Sequence, residues 1–136
     1  MTVIDSSTLA KYILKEPNWM EVEEYLLREE ISTLNHTIKE VANAIWKITV
    51  IYKAISKEVA EEKFKLLKTL TKEVITIKPQ EKYLEEAFKI ALKHQTTIYD
   101  ALYIAQAKKE KTKLLTSDRK QAQTAKKLGL NVTFIQ

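Results

Sequence analysis

Cysteine is missing from this 136-residue chain, and glycine occurs once and proline twice. Without cysteine there are no disulfides and no thiolate metal sites, which favours the cytoplasm. One glycine and two prolines leave little room for flexible linkers, and neither internal repeats nor low-complexity tracts interrupt the chain. No apolar run approaches the roughly 18 residues that span a bilayer, so a membrane location is not expected. The N-terminus shows no basic segment followed by an apolar stretch, hence no visible secretory signal. The length suits one domain over residues 1–136, large enough for one good core.

What remains is 45% hydrophobic and 30% charged, with a formal charge of +5. Such a balance describes a soluble globular protein, and the excess of lysine suits either solubility or a polyanionic partner.

The opening stretch sets the pattern. Thr2, Val3 and Ile4 have strand character, and Asp5 breaks the run. Ser6, Ser7 and Thr8 then begin a helix carried by Leu9, Tyr12 and Ile13 at helical spacing. A strand feeding a helix opens a βαβ unit, so parallel strands with helices on both faces should follow.

The rest of the chain keeps that alternation. Pro17-Asn18 opens a second helix with Trp19, Val22 and Leu26 on one face, and Ile31 to Leu34 reads as a second strand. From Asn35, a long helix is expected to bury Ile38, Val41, Ala42, Ile45, Ile48 and Tyr52 in a continuous stripe. A helix from Ser56 or Lys57 to about Leu70 turns Ala60, Phe64, Leu67 and Leu70 inward. Val74 to Ile77 is the third strand, and the helix Glu81 to Lys93 is expected to face the core with Leu84, Ala87, Phe88 and Ala91. Thr96-Thr97 introduces the helix Ile98 to Lys109, Lys113 to Thr116 is the fourth strand, and Val132 to Ile135 the fifth. Between these last two strands a helix runs through Leu128, and Gly129 sits where a left-handed stop is needed. The fold expected is a three-layer α/β/α domain with a central, mostly parallel five-stranded sheet.

Four acids occupy related places on this frame. Asp5 and Asp118 stand just past strands one and four, while Glu40 and Asp100 lie in the first turns of the helices from Asn35 and Ile98. In a parallel sheet these positions open toward one edge, where chemistry collects. Each also has a plain structural explanation. Thr37 to Glu40 and Thr97 to Asp100 match the capping-box spacing, and Asp5 and Asp118 can cap their own helices.

The segments around these acids resemble one family in the same order. Val3-Ile4-Asp5-Ser6-Ser7, Lys39-Glu40-Val41-Ala42-Asn43-Ala44, Ile98-Tyr99-Asp100-Ala101-Leu102-Tyr103-Ile104-Ala105-Gln106-Ala107 and Leu114-Leu115-Thr116-Ser117-Asp118 are similar to the PIN domain. Within it, they resemble the stand-alone VapC-type toxins of prokaryotic toxin–antitoxin pairs. Thr97 and Tyr99 depart from the smaller or polar residues often found before the third acid.

The resemblance implies a metal-dependent endoribonuclease that hydrolyses RNA phosphodiester bonds. Asp5, Glu40, Asp100 and Asp118 would be its catalytic, metal-binding acids, with Mg²⁺ or Mn²⁺ as cofactor; carboxylate oxygens suit such hard cations. Asp5, Asp100 and Asp118 are the expected direct ligands, and Glu40 either holds a second ion or orients the water. Ser6 and Thr116 would be hydroxyls that hold the carboxylates in place. The implied partners are the RNA substrate, a VapB-type antitoxin and a second copy in a homodimer. A housekeeping PIN nuclease, a phosphoacceptor domain and a non-catalytic binding domain are the competing readings.

The remaining polar features carry blander expectations. His36 and His94 lack ligand spacing and are expected at surface or capping positions. Tyr99 and Tyr103 either pack or stack on a base. The lysines at 108, 109, 111, 126 and 127 meet RNA phosphates or simply close helix ends.

Overall fold

Asp5 ends the central strand of a five-stranded sheet whose order is β3-β2-β1-β4-β5 and whose four pairings are all parallel. The computed structural model describes residues 1–136. Its strands are β1 (Thr2–Ile4), β2 (Ile31–Leu34), β3 (Thr76–Lys78), β4 (Lys113–Thr116) and β5 (Val132–Phe134). Its helices are α1 (Ser6–Leu14), α2 (Trp19–Arg28), α3 (Asn35–Trp46), α4 (Lys57–Glu73), α5 (Leu84–His94), α6 (Ile98–Glu110) and α7 (Arg119–Lys127). Each crossover between parallel strands contains at least one helix, as parallel pairing requires.

Side chains alternate across the sheet and split the core in two. Val3 and Leu114 join Leu34, Ala87, Ile90 and the buried run of α6 on one face. Ile4 and Leu115 join Leu9, Ile13, Val22, Val41, Ile45, Leu67 and Leu70 on the other. Helices α5 and α6 with part of α7 therefore cover one face, and α1 to α4 cover the other. This is the three-layer α/β/α arrangement, with a sheet that is parallel throughout.

Several local expectations need correction. The third strand begins at Thr76, two residues later than expected, because Ile75 still closes the end of α4 through its N–H to the Leu70 carbonyl at 2.8 Å. A 3₁₀ turn at Gln80–Lys82 precedes α5, whose buried face is Ala87 and Ile90. Leu84 and Phe88 point outward, 45% and 54% exposed. The α3 stripe also ends early: residues Lys47–Ile51 form a π-helical turn, and Tyr52 is exposed. Phe64 on α4 is likewise exposed, while Leu67 and Leu70 are buried.

Gly129 has φ +80 and follows α7, with its N–H on the Lys126 carbonyl and the Leu130 N–H on the Ala125 carbonyl. That is the left-handed helix stop expected there. Lys15, Gln95 and Lys111 close α1, α5 and α6 in the same left-handed conformation without being glycine.

Candidate active site

The sheet order changes direction at β1, with β2 on one side and β4 on the other. The crevice outside the carboxyl ends of these strands is where ligands bind in open α/β sheets. Asp5 leaves β1 into this crevice, Asp118 leaves β4, Glu40 comes from the α3 that follows β2, and Asp100 comes from the first turn of α6.

Asp5 is 3% exposed and fully engaged. Its Oδ1 accepts from the Thr8 N–H at 3.0 Å, the Thr8 hydroxyl at 2.9 Å and the Ser7 hydroxyl at 2.8 Å. Its Oδ2 accepts from the Thr116 hydroxyl at 2.5 Å. Asp5 is thus the N-cap of α1 and a member of the crevice at once. Burial pushes its carboxyl pKa up, against the pull of those hydrogen bonds.

Asp118 caps α7, accepting from the Gln121 N–H at 3.1 Å, and its own N–H donates to the Thr116 hydroxyl at 3.0 Å. Thr116 therefore touches two of the four acids. Ser6 lies beside Glu40 and Tyr103, while Ser7 and Thr8 bond to Asp5.

Glu40 is not held by a capping box, since α3 begins at Asn35 and Thr37 is buried within it. Thr37 bonds to Tyr103 and Thr33. The Tyr103 hydroxyl donates to Glu40 Oε1 at 2.8 Å. Burial works against the Glu40 carboxylate, but the His36 ring, Tyr103 and Ser6 outweigh it and hold its pKa below the usual range. Burial first, then the Glu40 charge, raise the Tyr103 phenol, which stays protonated as a donor.

Asp100 completes the group. Its N–H donates to the Thr97 hydroxyl at 3.2 Å, so Thr97 is the N-cap of α6. Gln121 of α7 binds the Asp100 carbonyl at 3.0 Å and fixes α6 against α7. The Asp100 carboxyl is pushed up to about 6, by burial and then by the negative charges of Asp118, Asp5 and Glu40. All three of the other acids act on this one group. As the side chains stand, no three of the acidic or histidine groups close around a common ion position.

One expectation fails here. His36 is buried at 5% exposure rather than lying at the surface, with its Nε2 3.3 Å from Glu40 Oε1. The two tyrosines also separate: Tyr103 is buried, while Tyr99 is 59% exposed beside Asp100. His36 lies one turn before Glu40 on α3, and its two aromatic neighbours, Tyr99 and Tyr103, come from α6.

A family model described as the PIN domain matches residues 2–127. The chain belongs to the PIN domain family. Ribonuclease VapC3 of Pyrobaculum aerophilum is 33% identical over 125 residues, covering 89% of this chain and 92% of the relative, so this PIN domain is of the VapC type. Among solved structures, PAE2754 of Pyrobaculum aerophilum superposes with a TM-score of 0.73 at 22% identity, covering 96% of this chain and 82% of that one. VapBC2 of Rickettsia felis, bound to a DNA fragment from its promoter, gives 0.67 at 15% identity, covering 99% and 98%. These two likenesses carry the fold.

Proposed function

We propose that this PIN domain is an endoribonuclease, the toxin of a toxin–antitoxin pair, which hydrolyses RNA phosphodiester bonds at Asp5, Glu40, Asp100 and Asp118 with Mg²⁺ or Mn²⁺. The observation that carries this reading is the placement of the four acids at the carboxyl edge of the sheet, where burial and the three other acids push the Asp100 carboxyl up to about 6. Four carboxylates turned to one crevice are costly alone and become favourable around a cation. The relationship to Ribonuclease VapC3 supports RNA as the substrate.

The donor set fits a hard divalent ion, because every candidate ligand is a carboxylate oxygen. Asp5, Asp100 and Asp118 would hold it, with Glu40 on a second ion or on the attacking water. When bound, it would lower the pKa of a water and neutralise charge on the phosphate.

The chain's own residues supply the positioning. Thr116 and Ser7 orient Asp5, Thr116 also steadies the backbone at Asp118, and Tyr103 aims Glu40. Burial of Asp5 excludes bulk water from one side of the crevice. The net charge of +5 favours approach of the RNA backbone.

The partners proposed are a VapB-type antitoxin and a second copy of the chain. Trp46, Val50, Ile51 and Tyr52 are each about half exposed or more and form an apolar surface at the end of α3. No helix is long and apolar enough to cross a membrane; with the missing cysteines, we place the protein in the cytoplasm.

The test is cleavage of single-stranded RNA with Mg²⁺, with Mn²⁺ and with EDTA, followed by analysis of the product ends. Attack by water should give 5′-phosphate and 3′-hydroxyl ends only when metal is present. Cleavage in EDTA that leaves 2′,3′-cyclic phosphates would refute the mechanism.

A further inference from the structure

Beside Glu40 lies an open cavity of about 480 Å³ lined by His36, Lys39, Glu40, Asn43, Gln80 and Tyr99. We propose that this cavity is a nucleobase subsite, which takes an unpaired base flanking the scissile phosphate and sets the cleavage preference. The inference rests on the ribonuclease reading above.

The volume lies in the range of small-ligand sites. One wall is shared with the catalytic group, since Glu40 lines the cavity and Tyr99 directly precedes Asp100. A nucleotide whose phosphate sits among the acids therefore has its neighbour's base within reach of this cavity.

The side chains are those that bind a base. Tyr99 is 59% exposed, although the residues that follow Asp100 in α6, Ala101 to Ala107, are all buried. Its ring centroid is 5.9 Å from that of His36, at an interplanar angle of 56°. A free aromatic face of this kind stacks on single-stranded bases. Asn43 and Gln80 each offer an amide donor and an acceptor, the groups that read base edges. The Gln80 N–H donates to the Asn35 side chain at 3.1 Å, which fixes the segment after β3 against the start of α3. Lys39 is exposed and provides a cation for an adjoining phosphate.

A second observation is independent of these. His36 is 95% buried with its Nε2 3.3 Å from Glu40 Oε1, while its Nδ1 has no hydrogen-bond partner. Buried polar atoms without partners are rare, and this nitrogen is open to a hydrogen bond from a bound group. The cavity is a poor seat for an apolar anchor of an antitoxin, because Tyr99 is its only hydrophobic residue.

The test has two arms. In the first, randomised single-stranded RNA is cut by wild type, Tyr99→Ala, Tyr99→Phe and Gln80→Ala, and the ends are sequenced. Wild type should prefer one base beside the cut by on the order of tenfold, the scale of one stacked base. Tyr99→Ala should flatten that preference, Tyr99→Phe should keep it, and Gln80→Ala should change which base is favoured. In the second arm, a dinucleotide is titrated into the protein in EDTA, and amide NMR shifts are followed. Shifts at His36, Gln80 and Tyr99 are expected even if no RNA is ever cut, so failure of the nuclease is distinguished from failure of the subsite. Identical cleavage profiles for wild type, Tyr99→Ala and Gln80→Ala would overturn the proposal, as would a dinucleotide that leaves those three amides unmoved.

Discussion

Tyr103 on α6 donates its hydroxyl to Glu40 on α3 at 2.8 Å, and Thr37 meets the same hydroxyl at 2.7 Å. Thr33 lies 2.9 Å beyond Thr37 and donates to the Ile4 carbonyl at 2.6 Å. The aim of Glu40 is therefore anchored to the backbone of the central strand. Tyr103→Phe keeps the ring and removes the anchor. It should cost about 1.5–3 kcal/mol of stability, the scale of a lost hydrogen bond to a charged group. It should also raise the Glu40 pKa. Urea unfolding and an NMR carboxyl titration read the two effects separately.

Thr116 holds Asp5 and Asp118 together from the end of β4. Thr116→Val preserves the shape and leaves a buried carboxylate oxygen without its donor. A loss of about 1–3 kcal/mol is expected by urea unfolding, and Thr116→Ser should restore most of it. Wild-type stability in Thr116→Val would show that the hydroxyl does not support Asp5.

The pH dependence of the metal-free protein follows from Asp100. Its folded pKa, about 6, lies above its ordinary value of 3.8. Between those values the folded state binds more protons than the unfolded chain, so stability falls as pH rises through this window. Asp5 is shifted in the same direction, and Glu40 in the opposite one. Asp100→Asn should flatten the decline and be more stable than wild type at pH 7 in EDTA. A gain of about 1–2 kcal/mol is expected, after allowance for the partial exposure of the group. Thermal melts across pH 4 to pH 7 measure it.

How much of this was legible in the sequence depended on the kind of signal. Asp5, Asp100 and Asp118 were legible because each follows a strand or opens a helix, and a parallel sheet sends those points to one edge; Glu40 sits a turn further into α3 than expected. The layers were legible from alternating strand and helix patterns. The facing of α5 was not, because Leu84 and Phe88 make as good a helical stripe as Ala87 and Ile90. Packing against α6 selected the face that carries Ala87 and Ile90. Capping was read as an alternative to site chemistry, yet Asp5 and Asp118 do cap their helices while lining the crevice. His36 was missed because its burial depends on Tyr99 and Tyr103, more than sixty residues away.

Metal should stabilise the fold that the acids strain. An ion held only by the folded protein raises stability by about 2.7 kcal/mol at a hundredfold excess over its dissociation constant. Wild-type melts should therefore rise with Mn²⁺ concentration, and those of Asp100→Asn should respond far less. A wild-type melt indifferent to millimolar Mn²⁺ would argue against a shared metal site.

The central claim is that these acids act as one catalytic site on RNA. Its most direct test compares the cleavage rate of single-stranded RNA by wild type and Asp100→Asn at equal Mg²⁺, with melts confirming that both are folded. Asp100→Asn keeps the shape and removes the charge, so the rate should fall by about a hundredfold or more, the scale of losing one preorganised electrostatic group. Cleavage by folded Asp100→Asn at the wild-type rate would contradict the account.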